Sequence, residues 1–227
     1  SGVASVSVGY DFMAVLKTDG TLWTFGENDR GQLGNGTRTA SAAPVQILDN
    51  VKSVYCDTGY AAAIRTDGTL WVWGDQRPYL FSSLLPSGTD LLRPVQLMEN
   101  VADVACSGHI AVVKADHTLW IWGTNYHGQV GNGAHSDIDL SAPVQIMSDV
   151  QQVDIGYEHT IALKTDGSVW GWGANSSGQL GKREIKDNQY SFYTATWDVW
   201  ITEDCRMEPV PIGRSSNINA EDYISDW

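Results

Sequence analysis

The chain has 227 residues, with 27 acidic against 14 basic side chains and a formal net charge of −13 at pH 7. This acidic balance, without any block of Lys or Arg, argues against a bare nucleic-acid partner, because neutralising phosphates requires clustered cations. No apolar stretch approaches the roughly 18 residues of a membrane-spanning helix, so we expect no membrane partner either.

The first predicted elements form a β-hairpin. An apolar alternating run over 13–17 leads into Asp19-Gly20, inside the phrase TDGTLWTFG at 18–26. Asp-Gly between two alternating runs is a strong hairpin signal, and we expect a type I′ turn with positive φ at both central residues.

Further short runs complete this first unit. The valine pair Val3 and Val6 precedes the hairpin, while the turn GQLGNG at 31–36 and the step Pro44-Val45 follow it. Short apolar runs separated by turn residues are typical of β-strands, so the unit is predicted to contain four strands.

The same order of elements returns three more times. The phrase recurs as TDGTLWVWG at 66–74, ADHTLWIWG at 115–123 and TDGSVWGWG at 165–173, and the starts are 48, 49 and 50 residues apart. A period this regular indicates a repeat architecture. The paired tryptophans project to one sheet face, and we expect them to form core between neighbouring sheets.

The third copy departs from this hairpin signal. His117 follows Asp116 where the other copies have glycine. Positive φ is harder for histidine than for glycine, so we expect this turn to be less stable.

Two segments break the repeat. Segment 75–92 replaces the glycine-rich turn of the second copy, and segment 184–207 is an insertion in the fourth copy whose aromatic residues alternate as in a strand. Either these segments pack on the rim of the fold or extend a sheet, or they form a partner surface, since loops often carry binding. The candidate partner surface consists of Tyr79, Phe81, Tyr193, Trp197 and Trp200.

The order of the valine pair, apolar run, T-D-G-x-L/V-W-x-W-G, N-x-x-G-Q-L-G and Pro-Val resembles the repeat of the regulator of chromosome condensation family. The resemblance covers about residues 3–212 and implies an all-β fold, a β-propeller of about four four-stranded antiparallel blades. We expect a bacterial or otherwise divergent member. The expected units within 1–213 are about 3–48, 51–98, 101–147 and 150–212, and the tail 214–227 is a candidate first strand of a further blade.

The number of copies raises a question about the ring. Rings of this family usually hold about seven blades, and an open arc of four would leave packing faces uncovered. Three alternatives remain: a fragment or processed form of a longer protein, which we favour, a small or irregular propeller, and an incomplete ring that a second chain completes.

Comparison of the copies gives no pattern that is typical of a catalytic or metal-binding site. The five histidines do not stand at metal-ligand spacings, and His109 and His159 occupy equivalent places. Cys56 and Cys106 are also equivalent, as small buried residues would be. We therefore expect no catalytic residues, no cofactor, no metal and no enzyme activity.

We interpret the chain as a non-catalytic protein-interaction module that presents irregular loops to a protein partner or to a second copy of itself. Similar proteins include a guanine-nucleotide exchange factor and a secreted enzyme inhibitor, so regulation of another enzyme is one alternative. A carbohydrate-binding module that uses the aromatic insertion is the other. The sequence does not decide the compartment, although it slightly favours a secreted or cell-surface protein over a cytoplasmic or nuclear one.

Overall fold

The computed structural model describes residues 2–75, 81, 84–86, 89–180, 189–194 and 199–214. Their strands form four antiparallel sheets that follow one another along the chain, so the predicted all-β propeller fold is confirmed. Within the described residues, no helix is long and apolar enough to cross a membrane.

The strands of the four sheets alternate along the chain with short turns. The first sheet consists of β1 (Val3–Val8), β2 (Phe12–Lys17), β3 (Leu22–Gly26) and β4 (Ser41–Leu48). The second sheet consists of β5 (Val51–Cys56), β6 (Tyr60–Arg65), β7 (Leu70–Gly74) and β8 (Val95–Met98). The third sheet consists of β9 (Val101–Cys106), β10 (His109–Lys114), β11 (Leu119–Asn125) and β12 (Ser136–Met147). The fourth sheet consists of β13 (Val150–Ile155), β14 (His159–Lys164), β15 (Ser168–Ala174), β16 (Gln189–Thr194) and β17 (Val199–Arg214).

The first strand of each sheet lies at the inside of the propeller. β1 contacts β5, β5 contacts β9 and β9 contacts β13, whereas the later strands lie progressively outward. Asp103 links three of these inner strands, because its carboxylate accepts hydrogen bonds from the Tyr55 hydroxyl and the Val153 amide, each at 3.0 Å. In the fourth sheet, β17 pairs with β15 and β16 forms the outer edge.

The hairpin at the start of each tryptophan phrase has a three-residue loop. The Gly20 amide donates to the Lys17 carbonyl at 3.0 Å, and Gly20 has a φ of 80° whereas Asp19 has no positive φ. The expected type I′ turn is therefore wrong, since a type I turn followed by a left-handed residue closes this loop. In the third copy His117 takes the left-handed position, with a φ of 64°.

Neighbouring sheets meet through the same pair of faces at each boundary. At the first boundary, the face carrying Leu16 and Leu22 packs against the valine pair Val51 and Val54 and the ring of Trp73 in the next sheet. Trp73, Trp122 and Trp172 are fully buried, as expected for core between sheets. The first tryptophan of each pair is instead half-buried, and the Arg65 guanidinium lies 4.5 Å above the ring of Trp71.

The glycine-rich turn supplies an acceptor for the buried indole. Across the first boundary Trp73 Nε1–H donates to the Gln32 carbonyl, and across the third Trp172 Nε1–H donates to the Gln129 carbonyl, both at 2.9 Å. A Cβ atom on Gly131 would lie 2.5 Å from Trp172 Nε1. The Gly-Gln-Leu/Val-Gly pattern therefore combines a carbonyl acceptor with the space that the ring requires.

The second boundary is filled differently, because the second copy lacks this turn. Phe81 is 3 % exposed and meets Tyr60 edge to face, with 5.8 Å between the ring centroids. Phe81 and Leu91 belong to the same buried cluster as Trp122 of the next sheet. Phe81 and Leu91 of segment 75–92 thus form core in the place of the turn.

Within the described part of the chain, no sheet covers the face of the first sheet that carries Val3 and Val6. Val3 and Val6 are 56 % and 61 % exposed, whereas the equivalent Val51 and Val54 are 4 % and 8 % exposed. The sequence pattern is the same in both sheets, and the difference arises because another sheet covers the second pair but not the first.

Candidate functional site

The turns between the first and second strands of the sheets lie at one end of the propeller. These turns span 9–11, 57–59, 107–108 and 156–158. Because the inner strands start at equivalent points of each repeat, their carboxyl ends meet at the same end of the ring. The turns read GYD and GYE in the first and fourth copies, and DTG and SG in the second and third.

A polar cavity of about 580 Å³ lies between the turns of the second, third and fourth sheets. The end of β11, the loop that follows it and one residue of β12 complete its wall. Its side chains include Asp57, Tyr126, His127, Asp139, Tyr157 and Glu158. The volume falls within the range of small-molecule and side-chain binding sites, roughly 300–1,000 Å³.

Acidic groups dominate this wall. Asp57, Asp139 and Glu158 line the cavity, and no Lys or Arg does so among the described residues. His127 Nε2 lies 3.3 Å from the Glu158 carboxylate. Asp139 Oδ1 is buried and has no hydrogen-bond partner within the described part of the chain. The cavity therefore offers acceptors to a donor that comes from outside.

Two tyrosines form the rim. Tyr157 is 79 % exposed and Tyr126 is 46 % exposed, and both line the cavity. Tyr10, in the equivalent turn of the first sheet, is 80 % exposed. The corresponding turns of the second and third sheets carry Thr58 and Ser107, so packing between blades does not require an aromatic ring here.

Sequence reasoning missed this site. Its residues come from three copies of the repeat, and only the ring arrangement brings their turns together. The available signal was that tyrosine occurs in these turns in the first and fourth copies but not in the second and third. The search for irregular positions considered only segments 75–92 and 184–207.

A buried histidine lies directly after Gly108, which lines the cavity. The Thr160 hydroxyl donates to the Gln129 carbonyl at 2.8 Å, so the 2.7 Å contact between His109 Nε2 and Thr160 Oγ1 is a hydrogen bond donated by the imidazole. Burial lowers the pKa of His109 to about 3. His109 is therefore neutral at neutral pH and is hydrogen-bonded to Thr160 of the fourth sheet.

Cys56 and Cys106 are free thiols in equivalent positions. Burial raises the pKa of Cys56 to about 12, and it also raises the pKa of Cys106 well above its ordinary value. Thiols of this kind hold almost no thiolate at neutral pH, which makes them poor nucleophiles. Among the described residues, no three side chains of the types that bind metals lie close enough together to hold an ion.

The predicted partner surface is only partly within the described residues, since Tyr79 and Trp197 lie outside them. Phe81 does not fit the role of an exposed anchor, because its ring fills the space left by the missing turn. The described parts of the insertion lie in β16 and β17, and Tyr193 pairs with Trp200 across these strands. The part of the expected strand pattern at 195–198 lies outside the described residues. A role for Tyr193 and Trp200 in partner binding stays a prediction.

Two family models match the chain, and both describe the Regulator of chromosome condensation (RCC1) repeat. One matches residues 3–32 and 150–179, and the other matches 19–64 and 116–163. Together they cover more than half of the 227 residues. No curated protein sequence matches the chain.

Solved structures with the same fold include proteins from human and yeast. Human WBSCR16 matches with a TM-score of 0.73 and 21 % identity, over 94 % of this chain and 53 % of that one. Prp20p from Saccharomyces cerevisiae, described with its binding to Gsp1p and histones, matches with a TM-score of 0.70 and 19 % identity, over 95 % and 51 %. Yeast RCC1 (Prp20) bound to Kap60 matches with a TM-score of 0.73 and 14 % identity, over 92 % and 49 %. The chain thus spans about half the length of these structures, and at such identities the likeness shows the fold alone.

Proposed function

The chain belongs to the regulator of chromosome condensation (RCC1) repeat family, and we propose that it acts as a non-catalytic protein-interaction module. In this proposal, the cavity and its rim tyrosines contact a protein partner. Family propellers serve in protein interaction, and Prp20 is an example with protein partners of its own.

The exposure of Tyr157 and Tyr126 beside the cavity carries this proposal. Tyrosine is enriched at protein interfaces, because its ring buries a large area with little loss of side-chain entropy and its hydroxyl forms hydrogen bonds. Exposed rings that flank a concave surface are suited to such a contact.

The surrounding chemistry supports a binding role. The neutral, buried His109 and the thiols of Cys56 and Cys106 contribute to packing between sheets rather than to a reactive centre. The rigid sheets fix the turns around the cavity, and loops held by a rigid scaffold are common binding sites.

Site-specific photo-crosslinking tests this proposal. A p-benzoylphenylalanine residue in place of Tyr157 should crosslink to a partner in an extract of the source cells, whereas the same residue in place of Glu99, at the opposite end of the inner strands, should not. Mass spectrometry identifies the crosslinked protein.

Binding of the purified partner then gives the quantitative test. Replacing both Tyr126 and Tyr157 by Ser should weaken affinity at least about tenfold, since exposed aromatic anchors commonly contribute more than 1 kcal/mol. Tyr10→Ser is the matched control, because Tyr10 is equally exposed but does not line the cavity. Equal crosslinking from both positions, or an unchanged affinity of the double variant, contradicts the proposal.

A further inference from the structure

We propose that the cavity binds the guanidinium group of an arginine side chain presented by the protein partner. This inference rests on the proposed function, because it names the partner chemistry that the same site recognises. Three properties of the cavity support it: its charge, its unsatisfied acceptor and its aromatic rim.

The charge of the cavity favours a cation. Asp57, Asp139 and Glu158 line the wall, and His127 is the sole basic side chain on its described surface. A concave surface with one sign of charge focuses the electrostatic field and raises the local concentration of ligands of opposite charge. The net charge of −13 of the whole chain acts in the same direction.

Asp139 supplies an acceptor that the protein itself leaves unused. Its Oδ1 atom is buried, and within the described residues it accepts no hydrogen bond. A buried acceptor without a donor is unfavourable, and a charged one more so. A donor that enters the cavity would remove this penalty, so the binding of a hydrogen-bond donor is favoured.

The spacing of the carboxylates favours arginine over a metal ion. Within the described chain, no three potential metal ligands come close enough together to hold an ion. A metal requires oxygen ligands that converge at roughly 2–2.6 Å. A guanidinium carries five N–H donors spread over a plane and can reach separated acceptors such as Asp139 and Glu158.

The rim provides a surface for the flat face of the same group. The rings of Tyr126 and Tyr157 lie at the cavity and are exposed to solvent. Guanidinium groups stack on aromatic faces, while their edges form hydrogen bonds with carboxylates. Arginine therefore matches the wall and the rim together, whereas the ammonium of lysine matches the charge alone.

Model peptides test this inference on the purified chain. A fluorescein-labelled peptide Gly-Ser-Arg-Gly-Ser-Arg-Gly-Ser should bind in fluorescence anisotropy titrations and shift the backbone amide signals of Gly108 and Thr124 in nitrogen-15 NMR spectra. The same peptide with citrulline, which keeps the shape and lacks the charge, should bind at least tenfold more weakly. A lysine version should bind measurably more weakly than the arginine version.

Charge-neutralising variants locate the binding. Asp139→Asn and Glu158→Gln should each weaken binding of the arginine peptide at least tenfold while the melting temperature is maintained. Glu99→Gln removes the same charge at the opposite end of the inner strands and should leave binding unchanged.

Several outcomes would overturn the inference. These are equal binding of the citrulline or lysine peptide, equal loss in the Glu99→Gln control, or shifts of the cavity amides by calcium chloride or inorganic phosphate but not by the arginine peptide. If the partner found by crosslinking binds the Asp139→Asn and Glu158→Gln variants normally, the proposed function stands and the arginine inference falls. If the arginine peptide binds but position 157 crosslinks to no protein, the inference about the cavity stands and the proposed function falls.

Discussion

Buried polar side chains hold the turns of this propeller in place. Asn125 is fully buried, its Oδ1 accepts from the Val130 amide at 3.0 Å, and its Nδ2 donates to the Ala134 carbonyl at 2.9 Å. Asn28 and Asn175 accept in the same way from the amides of Leu33 and Leu180. In the sequence this asparagine is recognisable only as a recurring residue before the glycine-rich turn. Its hydrogen bonds could not be predicted, because they form only when the turn folds.

Asn125→Ala should lower the free energy of unfolding by about 2–4 kcal/mol, because the amide of Val130 and the carbonyl of Ala134 would stay buried without partners. Urea unfolding followed by tryptophan fluorescence measures this loss. Ser176→Ala is the control, since Ser176 is exposed in the equivalent turn of the fourth sheet and its change should stay within about 0.5 kcal/mol. Equal losses in the two variants would contradict this account of the turn.

The burial of His109 makes the free energy of unfolding depend on pH. Burial lowers its pKa to about 3, while an unfolded chain titrates near 6.5. Between these values the unfolded state binds a proton that the native state does not, so stability falls as the pH falls, by up to about 1.4 kcal/mol per unit for this group. Above the unfolded pKa the group makes no pH-dependent contribution.

His109→Phe should therefore reduce the loss of stability between pH 7 and pH 5. Phenylalanine suits the position, because Phe12 occupies it in the first sheet and is buried there. Urea unfolding at several pH values within this window gives the slope for each protein. A slope that is the same for the variant and the original chain would show that His109 is not the titrating group.

Elements of the fold were predictable where local pattern determines them. Alternation and Asp-Gly pairs predicted the strands and hairpins, but the turn type was wrong, because Asp-Gly suits both a two-residue loop and a three-residue loop. The core role of Phe81 was not predictable, since an apolar loop residue can face a partner as well as a neighbouring blade. The cavity was also missed, because it depends on contacts between units about fifty residues apart.

The glycine-rich turn allows a matched test of the boundary between sheets. Gly131 and Gly178 both have positive φ, at 82° and 74°, but a Cβ atom on Gly131 would lie 2.5 Å from Trp172, whereas Gly178 has nothing within 4 Å. Both alanine variants share a backbone strain of about 1–2 kcal/mol. Gly131→Ala should lose about 1–3 kcal/mol more, because it also overpacks the boundary. Thermal unfolding compares the two alanine variants. Equal losses would mean that packing of the Trp172 ring does not depend on this space.

At the scale of the whole molecule, equivalent residues differ because the sheets have different neighbours. Among the described residues, no sheet covers Val3 and Val6 of the first sheet, whereas the first sheet covers Val51 and Val54 of the second. The sequence of a single repeat does not distinguish the two valine pairs, since their local sequences are alike. The distinction depends on the number of units and on what covers the terminal face.

Val54→Asp should lower the free energy of unfolding by at least about 3 kcal/mol, because it buries an unpaired carboxylate between two sheets. Val6→Asp, at the equivalent position of the exposed face, should change stability by less than about 0.5 kcal/mol. Urea unfolding combined with light scattering measures stability and mass together. A large loss for Val6→Asp, accompanied by dissociation into smaller particles, would show that a second copy covers this face in solution.

The contact between His109 and Thr160 has a consequence for how the repeats assemble. Units of similar sequence risk docking on the wrong neighbour, within one chain or between chains. The residues equivalent to Thr160 in the other units are Met13, Ala61 and Ile110. None of these has a hydroxyl group, so a misplaced unit would leave the imidazole of His109 buried without its partner. One matched pair thus marks the third and fourth units as successive, and it disfavours strand exchange and shuffled orders that the shared tryptophan phrases alone would permit.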